Sequence, residues 1–226
     1  MAQSPSPYVR EQAVQGGLGI NVNKVIKNTY MLLGMTLLFS AAMAWVSMSI
    51  GAGFMSPILS LVISLGLLFA VQAARNSIWA LPLVFAFTGF FGFNFGPLLS
   101  VYLANPALSE ILMTALGSTA FIFFGLSAYV MVSKKDFSFL RGFVFVGLLV
   151  LVGASLVSLF VDMSGLSLAI SAGAVLLASA LILFDTSRII HGGETNYIMA
   201  TVSLYLDIYM LFIHLLNLLT ALSGRD

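Results

Sequence analysis

Seven continuous apolar runs, each close to the length that crosses a bilayer as a helix, dictate what this chain can become. They cover residues 29–49, 54–73, 78–101, 111–132, 142–161, 166–189 and 198–222. Strands of an outer-membrane barrel would alternate polar and apolar residues, and these runs do not. With 60% hydrophobic and 8% charged residues in 226, no part of the chain reads as a soluble domain. The expected fold is all-α: a polytopic membrane bundle of seven transmembrane helices over residues 29–226, preceded by a polar, flexible tail over residues 1–28. That tail has no apolar core, so no cleavable signal peptide is expected and the first span must direct insertion. The net charge of +1 leaves no basic patch for nucleic acid. With no cysteine, disulfides and thiolate metal sites are excluded.

Orientation follows from the cations. Arg10, Lys24 and Lys27 lie in the tail. Arg75 lies in the second loop, Lys134, Lys135 and Arg141 in the fourth, and Arg188 in the sixth. Only Arg225, of nine Lys and Arg, falls on the other side. The expected topology has the N-terminus in the cytoplasm and the C-terminus outside. A re-entrant last segment would put all nine inside, but residues 198–222 are long enough for a full crossing.

Two carboxylates interrupt the apolar runs: Asp185 in the sixth and Asp207 in the seventh. An ionised carboxylate in lipid is costly, so such residues face a bundle interior or a water-filled path. On the last span Ser203, Asp207, Met210, His214 and Asn217 recur at spacings of three and four and share one face. A helix with that stripe belongs inside the bundle, and Ser203, His214 and Asn217 mark a candidate polar path. In the third span Gly89, Gly92 and Gly96 have the small-residue spacing that lets helices approach closely. Pro97 follows, removes a backbone hydrogen bond and is expected to kink or interrupt the helix. Gly92, Gly96 and Pro97 thus read as tight packing at a bend, or more sharply as a hinge or unwound segment. Arg188, His191 and Glu194 read as a solvated turn, and Asp185 with Arg188 as an i,i+3 pair. Thr195 or Asn196 is suited to cap the last helix. Glu110 and Asp162 are placed in outside loops, where they attract cations to the mouth.

Three segments together resemble a known family. They are Phe184-Asp185-Thr186-Ser187-Arg188-Ile189-Ile190, Gly192-Gly193-Glu194-Thr195-Asn196-Tyr197, and Ser203-Leu204-Tyr205-Leu206-Asp207-Ile208-Tyr209 with Phe212-Ile213. They look like the signature of the transmembrane Bax inhibitor family, and the Gly92–Pro97 stretch resembles its third-span motif. Within the family the chain is most similar to bacterial inner-membrane members. The resemblance implies a seven-helix bundle whose last helix is wrapped by the other six. It implies a pH-governed calcium leak, with the paired aspartates matched by Asp185 and Asp207. It also implies a closed-state arginine partner from the second helix, for which Arg75 is the candidate. Some bacterial relatives are linked to a membrane-anchored AAA protease, as substrate or modulator.

The chemistry of such a pair is direct. Two adjacent carboxyls do not both ionise cheaply, so they share a proton and titrate as a unit. The shared proton would tie the sixth and seventh helices together. Its loss would add repulsion and expose hard oxygens suited to calcium. Asp185 and Asp207 are therefore the expected pH sensor and cation site, with calcium as transported or bound ion and no other cofactor. Counted from the expected boundaries, Asp185 lies about 5 residues from one helix end and Asp207 about 10 from the next start, a depth offset of roughly 7 Å. Contact between the two is therefore implied by the resemblance alone.

Other functions fit less well. Intramembrane aspartyl proteases pair Tyr-Asp with Gly-x-Gly-Asp, whereas this chain has Phe184-Asp185 and Leu206-Asp207. An intramembrane serine protease needs Gly-x-Ser-Gly, and the nearest sequence is Asp162-Met163-Ser164-Gly165. No enzyme activity is expected. A proton-coupled transporter would show an internal repeat, and the two halves show none. The alternative kept beside the leak is an interaction protein that regulates membrane proteolysis, with the tail as its handle.

Overall fold

The computed structural model describes residues 7–158 and 164–224. They form α1 (Pro7–Ser49), α2 (Pro57–Ala74), α3 (Ala80–Ala104), α4 (Pro106–Ser133), α5 (Leu140–Ser158), α6 (Ser164–Ile190) and α7 (Tyr197–Leu222). All seven are long and apolar enough to cross a membrane, the first of them from Val22. The expected spans are all present, with shifted ends. Residues 22–28, assigned to the tail by their polarity, belong to the spanning part of α1, where Val25 and Ile26 pack against the core. Helix α1 also starts at Pro7.

Local chemistry sets the other boundaries. Asn105 accepts the Ala107 N–H at 3.0 Å and Pro106 opens the first turn, so α4 starts well before residue 111. Glu110 is consequently on a helix rather than in a loop, and it is exposed. Asp162 lies outside the described residues. Lys134 ends α4 in the left-handed region, at φ 52°, with its N–H returned to the Val130 carbonyl at 2.8 Å. Of the two candidate caps of α7 it is Asn196 that acts, accepting from Ile198 and Met199 N–H at 2.9 and 3.2 Å.

Helix α7 is the centre of the bundle, with half of its most apolar window buried. Four helices, α1, α3, α4 and α6, pack directly around it. Of the six helices expected to wrap it, the other two lie outside these four. Helix α2 leans on α3 and α5 on α6, and these two form an outer layer whose windows are only 6% buried. Their exposed Leu61, Val62, Phe69, Phe143, Leu149 and Val152 make the apolar surface that lipid requires. Helices α1 and α3 share the most extensive contact. A methyl group at Gly92 would overlap the Ser40 carbonyl, and one at Gly96 would lie 2.8 Å from the Ala44 carbonyl oxygen. The third-span glycines therefore serve close packing onto α1, and α3 runs as α-helix through Pro97 without interruption.

Side chains join three loops at one end. Asn196 Nδ2 donates to the Arg75 carbonyl at 3.0 Å and to Asn76 Oδ1 at 2.9 Å. Ser187 Oγ accepts the Phe137 N–H at 2.9 Å. This end carries Arg75, Lys134, Lys135 and Arg188, the residues that the charge bias groups on one side.

Candidate functional site

Asp185 projects from the last turns of α6 and Asp207 from the middle of α7, along the contact between these helices. They are 8% and 4% exposed. Their carboxyls lie within hydrogen-bond reach of each other, which closes the depth offset expected from the sequence. Two carboxyls make such a bond only with a proton between them. Asp207 Oδ2 is buried and accepts no hydrogen bond from an N–H or hydroxyl donor among the described residues.

The cation at the pair is Arg188. Its Nη1 donates to Asp185 Oδ1 at 3.1 Å, one turn along the same helix. Nη2 lies 3.6 Å from Glu194 Oε2, and the guanidinium sits 5.6 Å above the Phe184 ring. Arg75, expected as the gating partner, is instead exposed at the end of α2, and its backbone carbonyl holds Asn196. Among the described residues no ion pair joins Arg75 to either aspartate. The pair also forms no calcium cage here. No three His, Asp or Glu side chains cluster among the described residues, and Asp185 already has its cation. Calcium takes six or more oxygens, more than these two carboxyls supply.

Around the pair, hydroxyls join the helices. Thr186 Oγ1 meets Ser127 Oγ at 3.4 Å and links α6 to α4. On the opposite side of α7, the buried Tyr205 hydroxyl donates to the Thr88 carbonyl at 3.2 Å and meets Ser40 Oγ at 2.8 Å. That hydroxyl has one hydrogen, so Ser40 is the donor to it. Tyr205 thereby joins α1, α3 and α7, a role the sequence reading did not assign. Its signal was present, since a tyrosine in an apolar span needs a partner for its hydroxyl.

The rest of the polar stripe is uneven. Ser203 is half-buried beside the pair. His214 is half-buried with Nδ1 unpartnered, and it lines a cavity of about 350 Å³ with Leu148, Leu151, Ser155, Ile170, Ala174 and Met210. Asn217 is exposed, so the stripe leaves the interior at that level. A second cavity, of about 360 Å³, lies between α1, α3, α4 and α7 and is walled mainly by Ala44, Phe95, Leu112, Phe123, Tyr209 and Phe212.

Fold and site together define a seven-helix membrane protein with a buried acid pair between its last two helices. A family model described as inhibitor of apoptosis-promoting Bax1 matches residues 22–224, and the chain belongs to this Bax inhibitor family. It is 51% identical over 205 residues to an uncharacterized protein of Pseudomonas aeruginosa, covering 91% of this chain and 92% of that one. It is 44% identical over 207 residues to Escherichia coli K12 YccA, named modulator of FtsH protease, covering 92% of this chain and 94% of the relative. The same match is found in Escherichia coli O6:H1, where the relative is named an inner membrane protein.

Proposed function

We propose that this chain modulates a membrane protease of the FtsH kind from within the bacterial inner membrane, with its N-terminus in the cytoplasm and its C-terminus in the periplasm. The observation that carries this reading is the 44% identity, across 92% of the chain, to a relative named for that activity. The shape of the molecule is consistent with it. The three tied loops present one cationic end. Helix α1 begins 15 residues before its span at Val22, a reach of roughly 22 Å along the axis. That segment is the docking handle in this reading, and no enzyme chemistry of the chain's own is needed. The test is the turnover of a membrane-embedded substrate of the FtsH-type protease in cells with and without the chain. Turnover that changes with the amount of chain supports the proposal, and unchanged turnover contradicts it.

The acid pair favours a second reading, a proton-governed cation leak. Two buried carboxyls in contact are costly to keep for packing alone. With the shared proton in place, α6 and α7 are held together. Losing it leaves two charges in contact and drives the helices apart, so the closed state is the one that binds the proton. Flux of calcium into proteoliposomes, followed between about pH 6 and 8, should therefore rise with pH. Asp185→Asn and Asp207→Asn should each flatten that dependence. A wild-type dependence that survives both substitutions would remove the pair from the mechanism.

A further inference from the structure

His191 follows the last turn of α6 at the cationic end, in the turn leading to α7. Its Nδ1 lies 2.8 Å from the Ser187 carbonyl oxygen. Its Nε2 lies 3.2 Å from the Lys134 carbonyl oxygen, in the loop that joins α4 to α5. Each ring nitrogen thus faces a carbonyl oxygen, and a carbonyl only accepts. Neutral imidazole has a single N–H. A proton on Nδ1 alone leaves a lone pair turned to Lys134, and a proton on Nε2 alone leaves one 2.8 Å from Ser187. The Ser187 hydroxyl, 3.3 Å from Nδ1, does not remove that second conflict. The doubly protonated ring satisfies both carbonyls.

The charges around the ring suit that form. Asp136, in the same loop, is fully exposed, and hydrogen bonds from the Ser138 hydroxyl and N–H hold its carboxyl below the usual carboxylate range, with a smaller contribution from His191. It therefore stays ionised wherever histidine titrates. Lys135 of the loop is drawn away to the Tyr129 hydroxyl at 3.2 Å. Lys134 contributes its carbonyl. On α6 and the turn after it, Arg188 is engaged by Asp185 and Glu194.

We propose that His191 is a proton-operated latch, whose imidazolium fastens the α4–α5 loop to the end of α6. The latch is complete only while both ring nitrogens carry a proton, and loss of either proton removes one carbonyl attachment. The device uses neither aspartate of the buried pair and stands independently of both functional readings.

The chain has no cysteine, so a nitroxide on Phe139→Cys, a loop position that is 75% exposed, reports on this loop alone. The measurement is its electron paramagnetic resonance mobility in the full-length protein in bilayers between pH 5.5 and 8. Losing a bond to a charged donor should move the ratio of immobile to mobile label about tenfold toward mobile as pH rises. His191→Gln should abolish the change, and the double variant Asp185→Asn, Asp207→Asn should keep it. A label insensitive to pH in the wild type, a change that survives His191→Gln, or a change lost with the aspartates would each overturn the latch.

Discussion

Asp207 and Tyr205 sit two residues apart on α7, and their polar atoms are served differently. Asp207 Oδ2 receives no N–H or hydroxyl donor among the described residues, whereas the Tyr205 hydroxyl has two partners. Hydrogen bonds between membrane helices average about 0.6 kcal/mol each, so Tyr205→Phe should destabilise the protein by about 1 kcal/mol. Thermal unfolding in detergent measures this, and an unchanged midpoint would show that the bonds to Ser40 and Thr88 carry no stability. The two aspartates were legible from the sequence because a charge inside an apolar run has few explanations. The identity of their cation was less legible. Arg75 was named by family resemblance, but its place at the end of α2 leaves it exposed, whereas Arg188 needs only the helical repeat to reach Asp185. The role of Tyr205 is not legible in its own segment, since its partners come from α1 and α3, helices far away in sequence.

The contact of α1 with α3 is the closest between elements, and glycine makes it possible. Gly92→Ala would push a methyl into the Ser40 backbone, which cannot move as a side-chain tip would. Overpacking of this kind costs about 1–3 kcal/mol. Gly125→Ala on α4 meets nothing within 4 Å and should be neutral, or stabilising by up to about 1 kcal/mol through helix propensity. Denaturant unfolding of the two variants side by side checks the contrast. Equal stability would mean that the α1–α3 approach is looser than described. Small-residue spacing revealed this face in the sequence, but not its partner helix. It also left open a break at Pro97, where α3 is instead continuous. Helix ends were harder to place, because the Asn105 cap and Pro106 start α4 inside what composition reads as a loop.

For the molecule as a whole, apolar run lengths gave seven spans and the cations grouped the loops that the structure joins at one end. The packing order was not legible. Nothing in the hydropathy of α2 or α5 marks them as the outer layer, since every span is apolar enough to face lipid. With α7 held by four helices and α1 starting before its span, the bundle carries a helical extension at its cationic end. In the proposed function the molecule acts on a membrane protease through that extension. Its most direct test is the half-life of a membrane-embedded substrate of the FtsH-type protease, followed by pulse-chase in cells that produce no chain, the full chain or the chain without residues 1–20. The half-life is expected to shift with the full chain and to return to the chain-free value when residues 1–20 are removed from a still-folded bundle. The same half-life in all three strains would contradict it.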